Sequence, residues 1–151
     1  MSTEQNKALV RRFLGFIGSR NLDAALALVT QDYVDHQLPP EMGMGIEGTH
    51  KYYDLWFESF PDAKMTIDDI LGEGDVVVIR GTFRGTNTGS MMGMPTTGKS
   101  ASLAYIDIFC ITDGMIHEHW SEMDTESLMH QLGLRQLPEV QREPRDVKNR
   151  R

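Results

Sequence analysis

The chain carries a single cysteine, Cys110, in 151 residues. An internal disulfide is therefore impossible, and a domain that does without one suits a reducing, cytoplasmic compartment. Cys110 lies mid-strand in an apolar run and reads as a small buried hydrophobe. Basic charge is also scarce: 15 Lys and Arg stand against 22 Asp and Glu, for a net charge of -7. A nucleic-acid footprint needs the opposite balance, so no nucleic-acid partner is expected. No apolar run reaches membrane-spanning length, and residues 1–20 mix Glu4, Lys7, Arg11 and Arg12 into a helical pattern rather than a secretory signal. No membrane partner is expected either. The glycine-rich stretch 85–98 lacks the Lys-Ser/Thr and helix context of a phosphate loop. Nothing resembles a nucleophile elbow, and no metal-ligand spacing stands out beyond His117-x-His119 near Asp107. The chemistry expected is therefore that of side chains alone, without cofactor or metal.

What is present is the material of one globular domain. Apolar residues make up 40% and charged residues 25%, in a length that builds one good core. Ser2 with Gln5 forms a capping-box start. Leu9, Val10, Phe13, Phe16 and Ile17 follow helical spacing, which predicts an amphipathic helix over 3–18. Asn21 caps a short helix over 22–29, and Asp32 to His36 reads as a brief extended segment ended by Pro39-Pro40. A third helix, about 47–59, presents Tyr52, Tyr53, Trp56, Phe57 and Phe60 and is stopped by Pro61-Asp62. Strands are predicted over 64–71, 76–86, 100–111 and 115–122, with a turn at 72–74 and a loop over 87–99. Asp124 or Thr125 caps a last short helix, which Gly133 closes. Residues 1–137 form the domain, and 138–151, basic and poor in apolar groups, form a flexible tail. Helices first and a curved antiparallel sheet after is an α+β signature, here a cone with a pocket inside.

The last two strands hold the polar residues of interest. Side chains two apart on a strand share a face, which groups Tyr105 with Asp107 and His117 with His119. Thr112-Asp113-Gly114 marks the turn between them. A three-residue loop with Gly114 as a G1 bulge pairs Ile111 with Met115, and so sets Asp107 opposite His119 and Tyr105 opposite Ser121. Leu103, Tyr105, Asp107, Phe109, His117, His119 and Ser121 then share one face. Ala104, Ile106, Ile108, Cys110, Ile116 and Trp120 share the other. Both faces are largely apolar, so one is expected beneath the helices and the other against a second copy of the chain.

Several words in the sequence resemble the SnoaL-like polyketide cyclases of the nuclear-transport-factor-2-like superfamily. They are VRRF at 10–13, DYVDH at 32–36, FPD at 60–62, GMPTTGK at 93–99, TDGMIHEHW at 112–120 and HQLG at 130–133. The resemblance implies the cone-shaped α+β barrel and, in that family, a strand carboxylate acting as acid and base in an aldol closure. The position matching that carboxylate is Ser121 here, and a neighbouring position that is histidine in the family is Asp107. His36 follows the segment that the resemblance places near the cavity mouth.

Asp107, His119 and His36 are thus the candidate catalytic residues. A carboxylate in the middle of ALAYIDIFCI is costly to bury unless paired, and an apolar surrounding favours proton abstraction. Tyr105, Trp56, Phe57, Phe60, Met92, His117, Ser121 and Asp124 are candidates to meet the substrate. Tyr105 either donates to an enolate-like oxygen or lines the core, and Asp124 also reads as an N-cap. The loop with Met91, Met92 and Met94 is either a lid over a hydrophobic ligand or a subunit contact. The function expected is a cofactor-free cyclase, isomerase or lyase on a hydrophobic carbonyl compound. The alternatives are a small-molecule binder without turnover and an epoxide-type hydrolase drawing on Arg80 and Asp107.

Overall fold

The computed structural model describes residues 1–90 and 93–135. The expected tail at 138–151, and Met91 and Met92, lie outside the described residues. Helix α1 (Thr3–Gly18) starts at the Ser2–Gln5 capping box, in which both reciprocal bonds are made. It buries Leu9, Val10, Phe13 and Ile17, the face its apolar spacing prescribes. Helix α2 (Leu22–Leu26), capped by Asn21, is shorter than expected, because Val29 already opens β1 (Val29–Asp35). Helix α3 (Ile46–Ser59) follows, and then β2 (Lys64–Glu73), β3 (Val76–Thr86), β4 (Ser100–Thr112), β5 (Met115–Met123) and α4 (Thr125–Gln131).

The strands form one sheet in the order β1-β5-β4-β3-β2. All neighbours are antiparallel except β1, which joins β5 in parallel. The helices cover one face. Phe13 of α1 meets Phe109 of β4 edge-on at 5.8 Å, and Trp56 and Phe60 of α3 meet Phe83 of β3 at 5.3 and 5.2 Å. The FPD word has a structural role: Asp62 Oδ1 accepts the Thr86 backbone N–H at 2.7 Å, fastening the end of α3 to β3. Along β4 burial alternates strictly, with Leu103, Tyr105, Asp107, Phe109 and Ile111 inward. The outward set includes Ile106 and Ile108, 47% and 37% exposed, and the partly exposed Cys110.

The register of the last hairpin differs from the expected one. Thr112 pairs with Met115 across a two-residue turn. Asp113 and Gly114 both have positive φ, 51° and 77°, as a type I′ turn requires. Thr112, which is β-branched, stays extended, and the aspartate, which tolerates the left-handed region, takes the positive-φ position. A bulge follows, since Ile111 pairs with Ile116 while Cys110 pairs with Glu118, leaving His117 as the extra residue. The bulge restores the parity that the tight turn would have reversed. Asp107 and His119 thus share the inner face, but Asp107 sits opposite Ser121, Phe109 opposite His119, and Tyr105 opposite Met123. Ile116, expected outside, is fully buried in the core. His117 leaves the inner face, and its Nδ1 lies 3.2 Å from Thr30 Oγ1 and 3.5 Å from Asp32.

Candidate acid–base site

The inner face of the sheet holds a buried row of three ionisable side chains. Asp107 comes from the centre of β4 and His119 from β5. Asp35 is the last residue of β1, brought level with His119 by the parallel pairing. His119 Nδ1 lies 3.3 Å from Asp35 Oδ1, and its Nε2 lies 3.5 Å from Asp107 Oδ2. Asp35 and His119 are 0% exposed and Asp107 is 4% exposed. The Phe109 ring stacks on the imidazole with centroids 4.6 Å apart, fixing its plane. Asp35 is further held by Thr49 Oγ1 at 3.1 Å and by the Gln37 backbone and side-chain N–H groups at 3.2 Å each.

Burial by itself disfavours a charged imidazole. The close approach of Asp107 and of Asp35 outweighs it and pushes the His119 pKa up to about 9. Burial likewise disfavours the Asp35 carboxylate, yet His119 and Gln37 hold its pKa below the ordinary value. The site therefore rests as an imidazolium between carboxylates. The 3.5 Å contact on the Asp107 side is electrostatic rather than an aligned hydrogen bond: among the described residues, His119 Nε2 and Asp107 Oδ1 have no hydrogen-bond partner.

Two neighbouring chambers lie near this row, and the smaller one reaches Asp107. The outer cavity, about 430 Å³, is walled mainly by Pro39, Tyr52, Leu55, Trp56, Leu128 and Met129. The inner chamber, about 40 Å³, is reached by Asp107, Ser121 and Tyr105 among largely apolar neighbours. Gln37, Tyr52 and Trp56 line both, which places the two side by side. The roomier cavity thus does not touch Asp107; the small one does. Tyr105 crosses β3 to donate its hydroxyl proton to the Thr66 carbonyl at 3.1 Å. A Cβ at Gly81 would collide with its ring, so only glycine leaves room there. Burial pushes the Tyr105 phenol pKa up.

The other candidates divide. Trp56 and Phe57 line the chambers, while Phe60 is fully buried core stacked on Trp56. His36 is on the far side of the sheet, 2.8 Å from Glu118 and stacked on Trp120 at 4.5 Å. Adjacent strand residues face opposite ways, so in DYVDH it is Asp35, with Tyr33, that turns inward. Asp124 caps α4, accepting the Ser127 N–H at 2.8 Å. Arg80 also faces outward and pairs with Asp69 at 2.6 Å. Among the described residues no arginine pairs with Asp107, and they do not assemble the epoxide-type cluster. Asp35, Gln37, Thr49 and Tyr52 were missed as site residues. The Tyr33–Asp35 alternation was the available signal for Asp35. Among the described residues, no group of three or more His, Cys, Asp or Glu side chains is placed to hold a metal ion.

Known proteins share this architecture. TsrD from Streptomyces laurentii superposes with a TM-score of 0.80 and 32% identity over 89% of this chain and 99% of that one. IdmH, a putative polyketide cyclase from Streptomyces antibioticus, does so with a TM-score of 0.75 and 29% identity over 85% and 99%. A putative polyketide cyclase from Bacillus cereus gives 0.75 and 28% over 89% and 86%. No curated protein sequence matches the chain. The sequence model of the SnoaL-like polyketide cyclases matches residues 7–132, nearly the whole described domain, and the chain belongs to that family.

Proposed function

We propose that the protein is a cofactor-free acid–base enzyme acting on a hydrophobic, carbonyl-bearing small molecule of polyketide type. The observation that carries this reading is the asymmetry of Asp107. One carboxylate oxygen faces the His119 ring at 3.5 Å, and the other, buried, has no hydrogen-bond partner among the described residues. A carboxylate so placed at the edge of an apolar chamber suits removal of a proton α to a carbonyl. The bond electrons then move onto the carbonyl oxygen as an enolate, which closes a new C–C bond or shifts a double bond, and Asp107 returns the proton. His119 holds Asp107 in place, and Asp35 holds His119 charged. The outer cavity falls in the size range of small-molecule sites, roughly 300–1,000 Å³, and its apolar wall suits an aromatic or polyketide skeleton.

A second reading, binding without turnover, is favoured by the narrowness of the inner chamber, about 40 Å³. A ligand could then fill the outer cavity without meeting Asp107. Deuterium exchange separates the two. The protein is incubated in D₂O with a panel of aryl ketones and β-keto esters, and α-carbon exchange is followed by NMR. Catalysed exchange that falls by roughly 10²–10⁴-fold in Asp107→Asn supports the enzyme. Binding of these compounds without any catalysed exchange supports the binder.

A further inference from the structure

The two chambers are unequal in a way that bears on how a proton reaches Asp107. The inner one measures about 40 Å³, and roughly 10–15 Å³ of such space is enough to hold a water. It has room for a few waters, and far less room for a ring system than the outer cavity. The chamber is also polar where a water needs partners. Asp107 Oδ1 accepts and has no partner among the described residues. Ser121 presents its hydroxyl from the paired position on β5. The Tyr105 oxygen spends its proton on Thr66 and keeps lone pairs to accept. Buried polar atoms left without a partner are rare, and an ordered water is a common solution.

We propose that the inner chamber is a water site, and that water anchored on Asp107 Oδ1 relays the proton between this carboxylate and a substrate held in the outer cavity. The relay rests on the reading of Asp107 as the base. As the substrate C–H bond breaks, its electron pair moves to the carbonyl oxygen and its proton passes to the water. In the same step the water gives one of its own protons to Asp107. The water is regenerated and Asp107 is left neutral, and the reverse transfer restores the carboxylate once the new bond has formed. Gln37, Tyr52 and Trp56 line both the chamber and the outer cavity, so the two lie side by side and the relay crosses there. Asp107 never meets the substrate directly.

The test fills the chamber without altering Asp107. Ser121→Val adds bulk, removes a hydroxyl and suits a strand. Ala63→Val adds bulk at another lining position of the chamber and serves if the first variant folds poorly. A high-resolution crystal structure of the wild type is expected to show water within about 3.2 Å of Asp107 Oδ1, and the filled variant is expected to lack it. In the D₂O assay with α-tetralone and the rest of the ketone panel, the filled variant is expected to lose about 10²-fold in exchange. Ser121→Ala, which leaves the chamber open, should lose less. A wild-type chamber without water overturns the site. Displaced water with unchanged exchange overturns the relay and returns Asp107 to direct contact. Wild-type protein that exchanges no ketone at all while holding the water sinks the base reading and the relay with it, and leaves the water site standing.

Discussion

Asp35 Oδ1 lies 3.3 Å from His119 Nδ1, with both side chains completely removed from solvent. The contact joins the end of the first strand to the middle of the last. Together with Asp107 on the other side of the ring, it favours the protonated form of the buried imidazole.

Stability should fall on both sides of a plateau. The folded His119 pKa, about 9, lies above its ordinary 6.5. Its contribution is therefore complete below pH 6.5 and is lost as pH rises through about 9. The folded Asp35 pKa lies below its ordinary 3.8, so its contribution is complete above that value and is lost as pH falls through the depressed one. Urea denaturation across pH should show a decline above neutrality with a slope of up to about 1.4 kcal/mol per pH unit. His119→Gln should flatten that slope. An alkaline limb of equal slope in the variant would remove His119 as its cause.

Asp35→Asn keeps the shape of the side chain but removes one of the two charges that hold His119 protonated. The His119 pKa should drop, seen as an NMR titration midpoint moved toward neutrality. The imperfectly replaced hydrogen bonds to Thr49 and Gln37 should cost about 1–3 kcal/mol in urea. If Asp35 acts only by positioning, kcat should fall and its pH profile should move with the new midpoint, while KM changes little. An unmoved midpoint would contradict the electrostatic role.

Asn87 is fully buried and ties both ends of the 87–99 loop. Its Oδ1 accepts from Thr97 N and Oγ1 at 2.9 and 3.0 Å, and its Nδ2 donates to Ser59 and Gly89 carbonyls at 3.2 and 2.9 Å. Asn87→Ala strands those groups and should cost at least about 1–3 kcal/mol. Hydrogen exchange should speed up in the loop, including Met94 on the outer cavity wall. Wild-type stability in the variant would mean that the loop finds other partners.

The outer sheet face, with Ile106, Ile108 and the His36–Trp120 stack, is expected to pack against a second copy of the chain. Sedimentation at micromolar concentration should give a dimer, and Ile108→Lys should give a folded monomer. A monomeric wild type would refute this.

The local features of the molecule were legible in the sequence because they depend on neighbours along the chain. Capping at Ser2, Asn21 and Asp124, the amphipathic stripe of α1, and the alternation that turns Tyr105, Asp107 and Phe109 to one side of β4 all follow from period and propensity. The family words also pointed to the cone-shaped fold. What only the tertiary structure decided were relations across the sheet. The bulge at His117 moved that residue off the inner face and buried Ile116. A bulge is set by how two strands accommodate their partners, and β5 has one on each side. Asp35 reached His119 because β1 docks in parallel on β5, a contact between distant parts of the chain that no local periodicity encodes. A one-residue difference in facing separates Asp35 in the site from His36 outside it, and only the docked strand fixes which of them turns inward. The sizes of the two chambers are decided the same way, by how α3 and the sheet close on each other around Gln37, Tyr52 and Trp56.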